Sequence, residues 1–417
     1  MSIQIIIATY RPVSINRKDI LESYSAVTVD GFDFIITGRA LASGIYTEWP
    51  VLRNPLFTLI SAIDSVLGNI GIAFGLVIGI SLTLQFLSLN KMFNYFRFSE
   101  SVSASLLVIF FMNNIHFIDI YVLSDSISLS LMLYGITLIV LNENQKKELN
   151  GSLIIVASSL GQFYTLFGLL FLLTPVKMNL KSVINKIRQR NTIITFFFLI
   201  ISLVVRKFWT SEIGHNSSPD QFGLLKLNLN MFNFYLNTWA VIFVPFIIVL
   251  IYLVLMEFST LKKFISINFI KSGFYISLVV SVFLFFYQWK ESRFSYLLFI
   301  LIVVNVILVI GKNQKVPRLR DALPLIALLT IVFNTLWTPS DNWQPRVGES
   351  SFLRPWVTER YWERVPFTYY VEIRNKSCLK SIGSIDNSKA KESLEEDLLS
   401  LPDPVRVTAR FGIENCL

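Results

Sequence analysis

Eight long apolar segments dominate this chain and alternate with short polar connections. They lie at 68–89, 101–118, 124–141, 191–205, 238–256, 273–289, 294–311 and 322–337. A helix needs about 20 mostly apolar residues, with a floor near 17, to cross the hydrocarbon core of a bilayer, and each segment is long enough or nearly so. No soluble fold needs so many segments of this kind. The sequence therefore predicts an all-α polytopic membrane protein.

Charge and composition support a membrane protein and exclude a nucleic-acid-binding one. Only 16% of the residues are charged, against roughly 25% in soluble domains. The net charge of +9 comes from basic residues in the short connections, where positive charge sets membrane topology. These residues are Lys91, Arg97, Lys146, Lys147, Lys177, Lys181, Lys186, Arg188, Arg190, Lys262, Lys263, Lys271, Lys312, Lys315, Arg318 and Arg320. All five connections fall on one face, the cytoplasmic one, if segment 151–175 enters and leaves from the same side.

Segment 151–175 is apolar but interrupted. Gly161, Gln162, Tyr164 and Pro175 make it too polar and broken for an ordinary span, and irregular backbone at membrane depth must be shielded by protein or line a cavity. The positive-inside pattern favours a bent or paired course over a single crossing helix.

The opposite face then holds the loop 20–64 and everything after about residue 338. The stretches 366–373 and 405–413 have the β-branched and aromatic content of strands. Between them, 389–401 reads as a helix that Ser388 can cap and Pro402 stops. We therefore expect a membrane domain over 1–337 and a small outward-facing α+β C-terminal domain over 338–417. Cys378 and Cys416, the two cysteines of the chain, both lie in this tail. We expect a disulfide between them, the alternative being two unrelated thiols.

Several motifs on the outward side resemble those of GT-C-type membrane glycosyltransferases, which use polyprenyl-phosphate sugars and include the protein mannosyltransferases and aminoarabinose transferases. DGFDFIITGRALASG (30–44), followed by RNPLFTLI (53–60), resembles their first acidic loop and its proline segment. YVLSDSISLSLMLYGITLIVLN (121–142) resembles the next outward acid and its helix, and QFYTLFGLLFLLTP (162–175) resembles paired short helices. KESRFSYLLFILIVV (290–304) resembles the late Arg-Tyr turn, with Phe294 in place of Tyr. The family begins with a membrane span. The resemblance therefore implies a further helix before the first loop.

The resemblance implies a sugar transfer from a lipid phosphate, a reaction that needs a base for the acceptor proton and cations for the leaving phosphate. Asp33 is the first candidate for the base, and Asp30 is the second. The two are three residues apart, so they could share one face of a short helix. Arg293 is the phosphate candidate because its planar fork donates two hydrogen bonds, with Lys290 beside it. Asp125 is a supporting acid at the start of a span. The alternatives are a helix cap or a solvated loop acid for Asp30 and Asp33, a helix cap for Asp125, and an ordinary interfacial anchor for Arg293, as for Arg206 and Lys207.

The predicted function is transfer of a sugar from a polyprenyl phosphate or diphosphate donor to a glycan, lipid or protein acceptor. The site would lie at the extracytoplasmic face of the plasma (inner) membrane. A polymerase or ligase acting on lipid-linked glycans is one alternative, and a lipid or polysaccharide transporter is another. A transporter is less favoured, because the sequence shows no internal repeat and the spans carry almost no charged residues near their middle. His116 and His215 are the only histidines, and no Cys/His cluster has metal spacing, so no cofactor is predicted and metal dependence stays open.

Overall fold

The computed structural model describes residues 54–67, 72–113, 115–116, 124–141, 145–173, 180–211, 248, 251, 276–282, 295–312 and 317–336. The regular elements in these ranges are helices. In chain order they are α1 Pro55–Val66, α2 Ile72–Tyr95, α3 Glu100–Phe111, α4 Ser124–Leu141, α5 Gln145–Ser158, a 3₁₀ helix Phe163–Leu173, α6 Leu180–Ile187, α7 Arg190–Ser211, α8 Ser295–Lys312 and α9 Pro317–Leu336.

Helix α4 lies at the centre of the described bundle. Nearly every one of its residues is buried, and it packs against α2, α5, the 3₁₀ helix and α8. Its backbone passes very close to that of α5, because a Cβ placed on Gly135 would stand 2.6 Å from the carbonyl oxygen of Gly151. Small residues at a crossing let two helices approach closely and pack without a hydrophobic driving force, as in membrane bundles.

Side-chain contacts fix the directions of the helices around α4. Gln85 contacts Ser130, and Lys91 stands over the ring of Tyr134, so α2 runs parallel to α4. Tyr296 also contacts Gln85, while Phe96 lies against Gly311, so α8 runs the same way. These three helices therefore start at one end of the bundle and finish at the other.

Segment 151–175 folds back on itself, as its sequence predicts. Helix α5 runs antiparallel to α4, with Gly151 beside Leu138 and Ile139, and ends at Ser158. After a turn at 159–162, the 3₁₀ helix returns along both α4 and α5. Its Gly168 lies beside Met132 and Ile136 of α4. The turn thus lies at the start of α4, and the chain enters and leaves the hairpin towards the end of α4.

Helix α7 runs parallel to α5 along a polar seam. Asn191 Nδ2 donates to the carbonyl oxygen of Gln145 over 2.8 Å, and the Ser152 and Thr195 hydroxyls are 2.6 Å apart. One heptad further, the hydroxyls of Ser159 and Ser202 are 2.9 Å apart. Contacts that recur every seven residues keep two helices in register over their whole length.

The directions of the helices divide the described bundle into two ends. We call one the basic end, which carries Arg97, Lys146, Lys186, Arg188 and Arg190, and the other the Asp125 end, which carries His116, Asp125, Gln162, Arg206 and Ser295. The described basic connections therefore converge, as the charge pattern of the sequence predicts. The α-helical part of the expected architecture is present, whereas the C-terminal domain 338–417 lies outside the described residues.

Two of the described helices, Ile72–Tyr95 and Ser124–Leu141, are long and apolar enough to cross a membrane. At 1.5 Å per residue the first is about 36 Å long and the second about 27 Å, close to the thickness of a bilayer core. The outer face of α7 is apolar, with Phe197 exposed to 60% and Ile200 to 59%. Large exposed apolar faces of this kind belong against lipid or another protein.

Two expectations about boundaries are wrong. The predicted span 101–118 ends as helix α3 at Phe111, because Asn113 forms a turn in which its Oδ1 accepts from the backbone N–H of Ile115 over 3.0 Å. A short amide side chain that bonds nearby backbone competes with the helix. The two connections expected around Lys146 and around Lys186 contain helices α5 and α6, and Lys186 is buried.

Candidate functional site

Asp125 is a fully buried carboxylate in the first turn of α4. An acid in this position interacts favourably with the unpaired N–H groups and the positive end of the helix dipole. The Tyr164 hydroxyl donates to its Oδ1, and Gln162 Nε2 donates to its Oδ2 over 3.2 Å. The carboxylate is therefore held by side chains from the returning hairpin.

Ser124 joins this cluster to the beginning of α1. Its hydroxyl accepts from Gln162 Nε2 and from Asn54 Nδ2, both over 2.8 Å. Asn54 also caps α1, since its Oδ1 accepts from the backbone N–H of Phe57 over 3.1 Å, and Pro55 fits the first helical position that follows. One serine hydroxyl thus ties together α4, the hairpin turn and the proline segment.

The hairpin turn can approach α4 because residue 161 is a glycine. A Cβ at Gly161 would collide with the hydroxyl of Ser128, one turn along α4 from Asp125. The turn is closed further by the Ser158 hydroxyl, which donates to Thr165 Oγ1 over 2.8 Å. The positions of Gln162 and Tyr164 on either side of Asp125 therefore depend on this close contact.

Arg206 brings a cation to the same turn from α7. Its guanidinium donates to the carbonyl oxygen of Ser159 and stands 5.8 Å from the ring centroid of Phe163. Phe163 is the neighbour of Gln162, which contacts Asp125. The sequence suggests an interfacial anchor at Arg206, whereas the structure places it against the element that carries the partners of Asp125.

A second polar cluster lies between α2, α4 and α8. Gln85 Nε2 donates to Ser130 Oγ over 2.9 Å and to the Tyr296 hydroxyl over 2.8 Å. The Tyr296 hydroxyl also lies 3.1 Å from His116 Nδ1, and the His116 ring packs against the rings of Phe110 and Phe299. This network fixes the start of α8 against the rest of the Asp125 end.

Asp125 is the one predicted site residue that lies within the described part of the chain. The predicted catalytic acids Asp30 and Asp33, the predicted phosphate-binding pair Lys290 and Arg293, and the predicted disulfide partners Cys378 and Cys416 lie outside it. Asp125 stands in the first turn of a helix and contacts polar side chains from another element, and its role as a supporting acid stays a prediction.

The sequence gives little warning of the residues that surround Asp125. Gln162 and Tyr164 are recognisable only as polar interruptions of an apolar segment, and Asn54 only as part of a proline motif. Residues 54, 124 and 162 are too far apart in the sequence for a helix or strand periodicity to link them. The signal that exists is the break itself, because polar groups in an apolar segment need partners at that depth.

Comparison with solved structures identifies the architecture. The fold is similar to two crystal structures of ArnT from Cupriavidus metallidurans, one bound to undecaprenyl phosphate and one in the apo state. The TM-score is 0.54 in both cases, at 8% and 10% sequence identity, and each match covers 100% of this chain and 74% of the ArnT chain. No protein-family model matches the sequence, and no curated protein does. The resemblance to the GT-C type is confirmed at the level of the fold.

Proposed function

We propose that this protein is a membrane glycosyltransferase that takes a sugar from a polyprenyl phosphate or diphosphate and transfers it to an acceptor at the extracytoplasmic membrane face. The observation that carries the proposal is the likeness in fold, over the whole chain, to a structure of ArnT bound to undecaprenyl phosphate. The order of the acidic, proline and arginine motifs along the sequence supports the same reaction.

The reaction forms a bond between the acceptor oxygen and the anomeric carbon while the bond from that carbon to the lipid phosphate breaks. Asp33 takes the proton of the acceptor hydroxyl, with Asp30 as the second candidate. Arg293 and Lys290 stabilise the negative charge on the departing lipid phosphate. The sugar thus passes to the acceptor, and the phosphate leaves on the lipid with its electron pair.

Asp125 supports this chemistry from the start of α4. Tyr164 and Gln162 of the returning hairpin donate to its two oxygens and hold the carboxylate in place. Beside it, Ser126 Oγ is buried and has no hydrogen-bond partner among the described residues. A carboxylate fixed in this way can accept a hydrogen bond from a sugar hydroxyl without first reorganising.

A transfer assay with a purified polyprenyl-phosphate sugar tests the proposal directly. Asp33→Asn should lower turnover by about 10²–10⁴-fold while leaving the protein folded, because general-base removal has costs of this size. Arg293→Ala should lower both donor affinity and turnover, and Arg293→Lys should restore only part, since an ammonium lacks the bidentate fork. Full activity of Asp33→Asn would refute its role. No transfer by the wild-type protein from any polyprenyl-linked sugar would refute the function itself.

The membrane orientation follows from the positive-inside rule, which puts the basic end in the cytoplasm and the Asp125 end outside. A cysteine introduced at Gln189, in a variant whose native cysteines are replaced, should not react with an impermeant thiol reagent on intact cells. The same cysteine should react after permeabilisation. Labelling of intact cells at this position would reverse the orientation and would place the proposed site on the wrong face.

A further inference from the structure

In the last turn of helix α6, a charged side chain is buried and two apolar side chains are exposed. Lys186 faces inwards and is buried, whereas Ile184 and Ile187 are exposed to 38% and 44%. In the sequence, Leu180 and Val183 precede them at the i, i+3, i+4, i+7 spacing of an apolar helix face. Among the described residues, this arrangement leaves apolar surface that a membrane or another protein can cover.

A buried ion pair fixes this orientation. Lys186 Nζ lies 2.7 Å from Glu148 Oε1 and 2.8 Å from Oε2, so the ammonium contacts both oxygens of the α5 carboxylate. Successive helical residues are rotated by about 100°, so anchoring residue 186 inwards turns 187 to the side and 184 almost to the opposite side. Breaking this pair would leave a buried charge without its counter-charge, which resists rotation of α6.

Exposed cations lie at the same end of the bundle as the two isoleucines. Arg188 and Arg190 follow α6 directly, and Lys146 is exposed at the start of α5. Within the described part of the chain, none of these three makes an ion pair. An apolar face bordered by arginine and lysine is the pattern of helices that lie in the interface of a membrane, with the cations at the level of the lipid headgroups.

We propose that α6, together with Arg188, Arg190 and Lys146, is a binding surface for anionic phospholipid in the leaflet at the basic end. The charges fit phosphate-bearing headgroups, which attract juxtamembrane basic residues. The next helix, α7, also carries exposed apolar residues, among them Ile193 at 56% and Phe197 at 60%. Exposed apolar residues on both helices favour lipid over an acidic soluble protein, because a soluble partner would have to cover the flank of a long helix as well.

Full-length protein in phosphatidylcholine nanodiscs, with and without phosphatidylglycerol, tests the inference. We expect slower backbone hydrogen exchange of residues 180–190 when phosphatidylglycerol is present, and loss of the effect at high ionic strength, where surface charge is screened. Native mass spectrometry of the protein in detergent, titrated with phosphatidylglycerol, should give an apparent affinity that falls about 5-fold for each arginine replaced by glutamine. The matched control is Lys207→Gln, which removes a cation from the opposite end of α7 and should leave both readings unchanged.

The outcomes separate the alternatives. The double variant Arg188→Lys/Arg190→Lys keeps both charges and should keep most of the protection if headgroup charge is responsible. This variant also tests the inference if the glutamine variants fold poorly. Equal exchange of residues 180–190 in the two lipid mixtures would overturn the inference, as would protection that persists in the glutamine variants. Protection in either lipid that appears only with an added soluble protein would also overturn it and would assign the surface to that partner. Failure of the proposed glycosyl transfer would not affect any of these readings.

Discussion

Asp125 and Glu148 are both buried carboxylates, but they lie at opposite ends of the bundle and have different partners. Glu148 at the basic end is matched by the ammonium of Lys186 from α6. Asp125 receives hydrogen bonds from the Tyr164 hydroxyl and the Gln162 amide, and lies at a helix N-terminus. Burying a charge is unfavourable unless it has partners, and the described partners of the two carboxylates differ in kind.

Under the proposed function, the same group has a structural use at the basic end and a functional use at the Asp125 end. A full counter-charge at short distance holds two helices together, and it leaves little of the carboxylate for anything else. At Asp125, the Tyr164 hydroxyl and the Gln162 amide hold the carboxylate at the start of α4. The basic end is therefore suited to fixing α6 in place, and our proposal gives the Asp125 end contact with a substrate.

The largest expected effect is at the basic end. Glu148→Ala leaves the Lys186 ammonium buried without its counter-charge, so the free energy of unfolding should fall by about 3–5 kcal/mol. Thermal or denaturant unfolding in detergent measures the loss. The double variant Glu148→Ala/Lys186→Met should recover most of it, because both charges are then absent. A Glu148→Ala protein as stable as the wild type would show that the pair is not buried in solution and would remove the contrast between the ends.

A smaller effect is expected at the Asp125 end. Tyr164→Phe removes one donor to a charged acceptor, and such hydrogen bonds are worth about 1.5–3 kcal/mol. If the bond positions Asp125 for the proposed reaction, turnover per folded molecule should fall by about 10- to 100-fold, at roughly tenfold per 1.4 kcal/mol. Tyr95→Phe, which changes an exposed tyrosine at the basic end, is the control and should transfer normally.

One result would contradict this role: the Tyr164→Phe protein is less stable, but its turnover per folded molecule equals that of the wild type. Tyr164 would then hold the hairpin in place without any part in the chemistry. The Asp125 end would resemble the basic end, with both carboxylates serving the packing of the helices.

The smallest expected effect lies between the two ends, where α4 crosses α5. Gly135→Ala would place its Cβ 2.6 Å from the carbonyl oxygen of Gly151, so the helices must separate, at a cost of about 1–3 kcal/mol for overpacking. Gly79→Ala is the matched control, since no atom lies within 4 Å of its added Cβ. This control should gain up to about 1 kcal/mol from higher helix propensity. Equal behaviour of the two variants in thermal unfolding would show that the crossing is looser than the structure describes.

The helical elements could be predicted from the sequence to the extent that they depend on local pattern. The core of α4 at 124–141 and of α8 at 294–311 follows from continuous apolar segments, and the bend after Ser158 follows from polar residues in an apolar stretch. The predicted span 101–118 is longer than helix α3, because Asn113 forms a turn through a side-chain contact with the backbone, which composition alone does not reveal. The resemblance between motifs predicted the GT-C-type architecture that the likeness to ArnT confirms.

By itself, the sequence determined which segments are apolar enough for a membrane and that the described basic connections belong at one end, because both depend on composition along a continuous stretch. Only the tertiary structure decided that Asp125 meets Tyr164 and Gln162, and that Lys186 turns inwards to Glu148. Partners 37 to 39 residues apart at each site are joined by the return of the hairpin or the packing of α6 on α5. A contact of that range is set by how helices cross, and Gly135, Gly151 and Gly161 permit the close approach on which it depends.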